Sequence, residues 1–517
     1  MGVGAGGAAL QAEVMTTRDI HITAEGFPRG GDAPLGRREV LLFFGAAGIV
    51  LLAAFLLRIE EMAFFAVLGL LAVFVVMQSA MTWILASIGA FFMVFWSIEE
   101  GLTPPEIAHT VLYFGGLAWW FFHRLVIAKQ PLRWTPGSIL TVLLVLQMLL
   151  LAPVSMSINA DPYVWLREMF IVSSVLMLFP IAHECTTRKR QYLVGAAFVL
   201  SLFLLSLKNI YMYKQKVVEA VWVWQVGASR ASETFFLIFA LAVVGMALLI
   251  SARRPLMVLL TSMILLAGVA ATVLSFYRTI WVAALLSYAM MGMMLGRRFW
   301  RRAMLYFVVV LVAFSSLYPI FLAEVVPLDV MWLSISNRFG SIKTYRKDVS
   351  LKNREVEAEI MIDRIGGHWL LGTGIGTTVR FMKIMTMTTI EPTWTHNGYA
   401  WALHHFGVLG TLLLFASWLY YAWLGWRALR MFRRARGDDN EEGFRLRLYI
   451  AAGIAVIFST FLISWTINQF LSQEAGIVFG VVFGLFEAWH SDARNELATK
   501  EVAPSNDAGA IAATTES

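Results

Sequence analysis

The segment from Thr393 to Gly410, TWTHNGYAWALHHFGVLG, sets His396 and Asn397, then His404 and His405, at the mouth of an apolar stretch that continues TLLLFASWLYYAWLGW. Imidazole is the side chain best suited to moving a proton near neutral pH. Placing imidazoles and an amide beside hydrocarbon is costly unless they have partners or a task. Taken alone, a histidine at such a mouth reads as a structural or interfacial residue. His404 and His405 lie further into the apolar run and read as structural.

A second group with chemical potential precedes it, in the long stretch from Glu324 to Thr395. Arg338, Lys343, Arg346, Lys347, Lys352 and Arg354 cluster there with only Asp348 against them. They are either a solvated loop face or a site for an anion. Val356, Ile360, Met361 and Ile365 recur at helical spacing. Asn353 is placed to cap that helix and Gly366-Gly367 to stop it, so that Arg354 falls in the first turn. A helix N-terminus with an arginine beside it suits a phosphate. The following GTGIG (Gly372, Gly374, Gly376) allows close backbone approach to a ligand or a neighbouring helix. It is no dinucleotide fingerprint, since no strand precedes it and the spacing is wrong.

Other reactive groups point away from chemistry. Cys185 is the only cysteine, in the basic loop HECTTRKRQ, so no intrachain disulfide or thiolate cluster is expected. The acidic cluster Asp438-Asp439 with Glu441-Glu442 follows RMFRRAR and reads as its charge balance rather than a metal site.

The elements that must position these residues are membrane spans. The chain is 59% hydrophobic and 15% charged, against roughly 45–50% and about 25% in soluble domains. The apolar character runs through the whole length, which implies an all-α polytopic membrane protein. Apolar runs fall near 40–57, 62–77, 80–97, 107–122, 138–153, 164–181, 191–207, 233–250, 256–274, 279–295, 303–322, 402–424, 449–466 and 474–489. They give about 12–14 transmembrane helices and one long extracytoplasmic loop, 324–401, containing short helices. Residues 1–36 and 491–517 read as disordered cytoplasmic tails, and the run after Arg37-Arg38 as a signal anchor. The other divisions are 37–323 and 402–490, both transmembrane.

Basic clusters orient the spans. Arg37-Arg38 precede the first; Arg124 to Arg133, Arg188 to Arg190, Arg253-Arg254, Arg297 to Arg302 and RALRMFRRARG follow the fourth, sixth, eighth, tenth and twelfth. Alternation puts all of them on one side, the cytoplasmic one, with both termini. The net charge of +7 then needs no nucleic acid to explain it.

RTIWVAALL after an apolar span, then NREVEAEIMIDRIGGHWLLGTGIGTT, then THNGYAWALHHFGVLGTLLLF together resemble the O-antigen ligase and polysaccharide polymerase superfamily of bacterial inner-membrane glycan transferases. The likeness covers about 256–415. Its pattern is an arginine at the outer end of a span, an Arg-led loop helix, a glycine turn and a histidine–asparagine entry to the next span. Trp369 stands where proline is usual and Trp401 replaces the usual leucine region; neither touches the polar residues.

The resemblance implies a glycosyltransferase without cofactor; since the closely spaced acidic cluster Asp438-Asp439 with Glu441-Glu442 falls on the cytoplasmic side, the enzyme is expected to be metal-independent. Its donor would be a glycan on undecaprenyl diphosphate, and its acceptor a sugar hydroxyl on lipid A-core (ligases) or on another glycan (polymerases). It implies a diphosphate held by Arg278 and Arg354, with Arg230 adding charge from another outer loop. His396 would meet the acceptor hydroxyl, and Asn397 would orient it or the loop. The competing class is a transporter or flippase of lipid-linked sugar. That class should show charges in mid-span and two similar halves; here the spans are clean and no repeat is evident.

Overall fold

The computed structural model describes residues 79–90, 104–219, 235–275, 277–317, 336, 349–383, 388–393, 395–470 and 475–502. They form helices α1 (Ala80–Gly89), α2 (Pro104–Phe122), α3 (Pro136–Leu150), α4 (Ala152–Ile158), α5 (Pro162–Ser173), α6 (Leu178–Glu184), α7 (Arg188–Glu219) and α8 (Phe235–Ser251). They continue with α9 (Pro255–Leu274), α10 (Arg278–Leu295), α11 (Arg297–Leu317), α12 (Val349–Asp363), α13 (Gly398–Arg436), α14 (Glu441–Ile463) and α15 (Ala475–Val502). A short antiparallel pair, β1 (Phe381–Lys383) with β2 (Thr388–Ile390), lies between α12 and α13, with Met382 opposite Thr389. This is an all-α polytopic membrane protein.

Among the described residues seven helices are long and apolar enough to cross a membrane, or eight if α3 and α4, bent by 43°, are one span. Pro153, at the start of α4, lacks the N–H that would continue the helix, and the bend falls there. The expected runs at 40–57 and 62–77 lie outside the described residues.

α14 is the hub, the most deeply buried of these seven helices. Its sequence AAGIAVIFST is small and apolar, which lets neighbours approach closely. A Cβ on Gly453 would fall 2.8 Å from the ring of Phe486 of α15, and one on Gly425 of α13 would meet the same ring at 2.8 Å. Leu150, Leu285, Met293 and Leu412 are exposed instead, the pattern of a surface in contact with lipid chains.

The basic clusters meet at one end. Glu441 pairs with Arg253 and Arg302, each at 2.7 Å, and with Arg298. Arg436 bridges Glu442 at 2.9 Å and Glu496 at 2.6 Å, and Arg188 joins Glu496 at 3.0 Å. Arg190 donates to the Glu184 carbonyl, and Arg124 lies 3.8 Å from the Glu184 carboxylate. Five of the six clusters thus share a face, and Arg37-Arg38 lie outside the described residues. The acidic residues after RMFRRAR balance charge as the sequence suggests, though through specific pairs. Cys185 is buried at this end, and burial with the Glu184 charge pushes its thiol up to about 12.

Candidate functional site

At the opposite end, α10 and α13 begin and α9 and α14 stop. α10 has 18 residues, about 27 Å at 1.5 Å per residue, close to the hydrocarbon thickness of about 30 Å. His396 stands two residues before α13. Asn397 is the N-cap of that helix: its Oδ1 accepts from the N–H of Tyr399 at 3.0 Å and of Ala400 at 3.1 Å. The Gly398 N–H donates to the Ser464 carbonyl at 2.7 Å, which pins the start of α13 to the end of α14.

The partner of His396 is a residue that the sequence reading passed over. Glu357 of α12 places its Oε2 at 2.7 Å from His396 Nδ1. The same oxygen accepts from the Thr395 hydroxyl at 3.3 Å and the His396 N–H at 3.4 Å, and Asn353 Nδ2 donates to Oε1 at 2.8 Å. Glu357 is only 2% exposed. Burial alone would raise its carboxyl, but hydrogen bonds from His396 and Thr395 and the His396 charge hold it below its ordinary value. A carboxylate that accepts from Nδ1–H leaves the lone pair of the neutral imidazole on Nε2.

α12 corrects the expected cap. The helix already runs at Val349, so Asn353 lies inside it and reaches forward one turn to Glu357. Arg354 is then in the second turn, not the first, and an argument from the helix end does not apply to it. Ser350, Leu351 and Lys352 contain no helix breaker, so the chain continues upstream. The stop is as expected: α12 ends at Asp363 and Gly366 has φ +54°. The buried positions are Asn353, Glu357, Met361 and Ile365, spaced by four; Val356 and Ile360 are half-buried. Asn353 and Glu357 continuing the stripe of Met361 and Ile365 is the signal that was available.

Arg354 is half-buried beside Asn353, on the helix that carries Glu357. Arg278 is the first residue of α10. Its neighbour Thr279 accepts from the Thr466 hydroxyl at 2.7 Å. Thr466 follows α14, whose Ser464 holds Gly398, so Arg278 and His396 are anchored to the same helix end. Arg230 lies outside the described residues.

GTGIG approaches a helix. α13 is broken at Gly407, with φ +62° and ψ −170°, and the freed backbone groups are met by the loop. Thr373 N–H donates to the His404 carbonyl at 2.8 Å and Gly374 N–H to that of His405 at 3.0 Å. Val408 and Leu409 N–H donate to the carbonyls of Trp369 and Leu370 at 2.8 and 3.0 Å. Gln147 Nε2 reaches the carbonyls of Leu371 and Phe406. Irregular backbone at this depth is tolerated only when so satisfied. A Cβ on Gly372 would lie 2.4 Å from the His405 carbonyl oxygen. His404 and His405 are structural in this sense: both are buried, with Nδ1 on the carbonyls of Met361 and Gly374 respectively.

Among the described residues no three of His, Cys, Asp or Glu converge as metal ligands. The arrangement presents a carboxylate-oriented imidazole beside two arginine-bearing helices at one membrane face. Residues 261–415 match the O-antigen ligase family model. The match includes Arg278, Arg354, Glu357, His396 and Asn397. It supports the O-antigen ligase superfamily and glycan transfer in O-antigen biosynthesis. No curated protein matches the chain.

Proposed function

We propose that the chain transfers a glycan from an undecaprenyl-diphosphate carrier to a sugar hydroxyl, at the extracytoplasmic face of a bacterial inner membrane. The acceptor is lipid A-core or another glycan. The observation that carries this reading is the 2.7 Å contact between His396 Nδ1 and Glu357. The acceptor oxygen attacks the anomeric carbon while the bond from that carbon to the diphosphate oxygen breaks. The acceptor proton passes to His396 Nε2, and the lipid diphosphate departs with the bonding pair. Glu357 keeps the imidazole in the basic tautomer and offsets the positive charge that it gains. Arg278 and Arg354 hold the charge developing on the diphosphate, with Arg230 a further candidate. Asn397 positions His396 by capping the helix that follows it.

Fixed guanidinium groups supply the charge that a divalent ion would otherwise bring, so the reaction needs none. Purified protein given lipid-diphosphate donor and acceptor, with excess chelator, should form product. Activity that vanishes in chelator and returns with Mg²⁺ or Mn²⁺ would defeat this part of the mechanism.

A further inference from the structure

A cavity of about 270 Å³ opens between the C-terminal end of α12, the loop after it and the turn joining α4 to α5. The transfer chemistry above makes no use of it. Pockets for drug-sized ligands are mostly apolar and about 300–1,000 Å³. This one is smaller, and Asn159, Arg364, Thr377, Arg380, Glu391 and His404 are among its lining residues. Such a wall suits a hydroxyl-rich ring.

Its floor is a buried hydrogen-bonded set. Thr377 is 1% and His404 2% exposed. His404 Nδ1 lies 3.1 Å from the Met361 carbonyl, an arrangement that makes Nδ1 the donor and Nε2 an acceptor. That Nε2 is 3.5 Å from the Thr377 hydroxyl. The rim carries net positive charge: Arg380 is 3.4 Å from Glu391, while Arg364 makes no ion pair or side-chain hydrogen bond among the described residues. Arg364 is exposed.

The cavity is within reach of the reaction centre. Arg364 lies seven residues beyond Glu357, about 10 Å at the helical rise. His404 lies six residues beyond Gly398, the first residue of α13, about 9 Å by the same measure. A short stretch of glycan covers that separation.

We propose that this cavity is a subsite for one acidic sugar residue of the glycan substrate. Arg364 holds the carboxylate or phosphate of that residue, and Thr377 and His404 meet its hydroxyls. The assignment to substrate rests on the proposed transfer reaction; the preference for an acidic sugar rests on the cavity alone.

The test uses the full chain in detergent, with glucose, glucuronic acid and glucose 1-phosphate as probes and saturation-transfer NMR as the readout. The two acidic probes should bind at least about 10-fold more tightly than glucose, the scale of one hydrogen bond to a charged group. Arg364→Gln should abolish that preference, Arg364→Lys should keep part of it, and His396→Ala should leave it unchanged. Equal binding of the three probes, or a preference that survives Arg364→Gln, would overturn the proposal. In a reconstituted reaction, a raised KM for donor alone in Arg364→Gln places the acidic sugar on the donor. A raised KM for acceptor alone places it on the acceptor. If no transfer occurs yet the probe preference is present and depends on Arg364, the reaction is refuted and the sugar site stands.

Discussion

Replacing Glu357 by glutamine keeps the size of the side chain and removes its charge. Four groups that donate, or can, surround the carboxylate: His396 Nδ1 at 2.7 Å, the Thr395 hydroxyl at 3.3 Å, the His396 N–H at 3.4 Å and Asn353 Nδ2 at 2.8 Å. A carboxylate accepts from all of them; an amide has one accepting oxygen and an NH₂ that donates. If the NH₂ faces His396, Nδ1 must accept and the proton moves to Nε2, where the base is needed. If it faces Asn353, two donors meet in a buried site. Either way an imidazolium formed in the reaction loses its counter-charge. One hydrogen bond to a charged group contributes about 1.5–3 kcal/mol, which is about a 10- to 150-fold loss. The assay is transfer by purified protein with kcat and KM measured separately, after normal folding is shown by a detergent thermal midpoint. The loss should fall on kcat, with KM little changed. A Glu357→Gln enzyme with kcat within about twofold of the parent would show that the carboxylate does not support His396 in catalysis, since an effect that small is far below one charged hydrogen bond.

Arg278→Ala and Arg354→Ala should each slow transfer by about 10- to 150-fold, and Arg→Lys should rescue only part, since ammonium lacks the planar two-point contact; steady-state rates on membranes with matched protein levels decide it. Gly407→Ala should lower the detergent thermal midpoint, because φ +62° with ψ −170° is open only to glycine, at about 1–3 kcal/mol for other residues, and its Cβ would lie 2.4 Å from Gly372 N. The folded pKa of Glu357 is depressed, so its contribution to stability is present above the ordinary carboxylate value of about 4.3 and is lost as pH falls through the folded value; thermal midpoints in acid should decline less in Glu357→Gln than in the parent. With Cys185→Ser as background, Thr389→Cys should label with an impermeant thiol reagent in intact cells and Asp439→Cys should not; the reverse pattern would invert the topology and the function drawn from it.

The helices were legible because hydrocarbon leaves little choice: from Ala80 on, each apolar run has a helix in the described residues, seven or eight of them long and apolar enough to cross a membrane, and the basic loops meet at one end as alternation requires. The candidate site was legible in part. His396 and Asn397 announce themselves as polar residues at an apolar edge. Glu357 did not, because one carboxylate in NREVEAEIMID looks like its solvated neighbours Glu355 and Glu359 until the four-residue stripe with Asn353, Met361 and Ile365 is seen. The break at Gly407 was hidden as well: a glycine inside an apolar run looks like a packing contact, and only the loop from Trp369 to Gly374 supplies the hydrogen bonds that make it stable. The early start of α12 was missed because Asn353 is a good cap residue in isolation, whereas here its amide serves the carboxylate one turn on.

The proposed mechanism turns on His396 taking the acceptor proton in a glycan transfer. The direct measurement follows labelled glycan from an undecaprenyl-diphosphate donor to acceptor, using the purified full chain in liposomes, parent beside His396→Ala. Labelled product is expected from the parent, with a rate about 10²–10⁴-fold lower in the variant and both proteins equally folded. Labelled product at the same rate from His396→Ala would remove His396 from the proton transfer, and donor that crosses the bilayer with no product from either protein would make the chain a transporter instead.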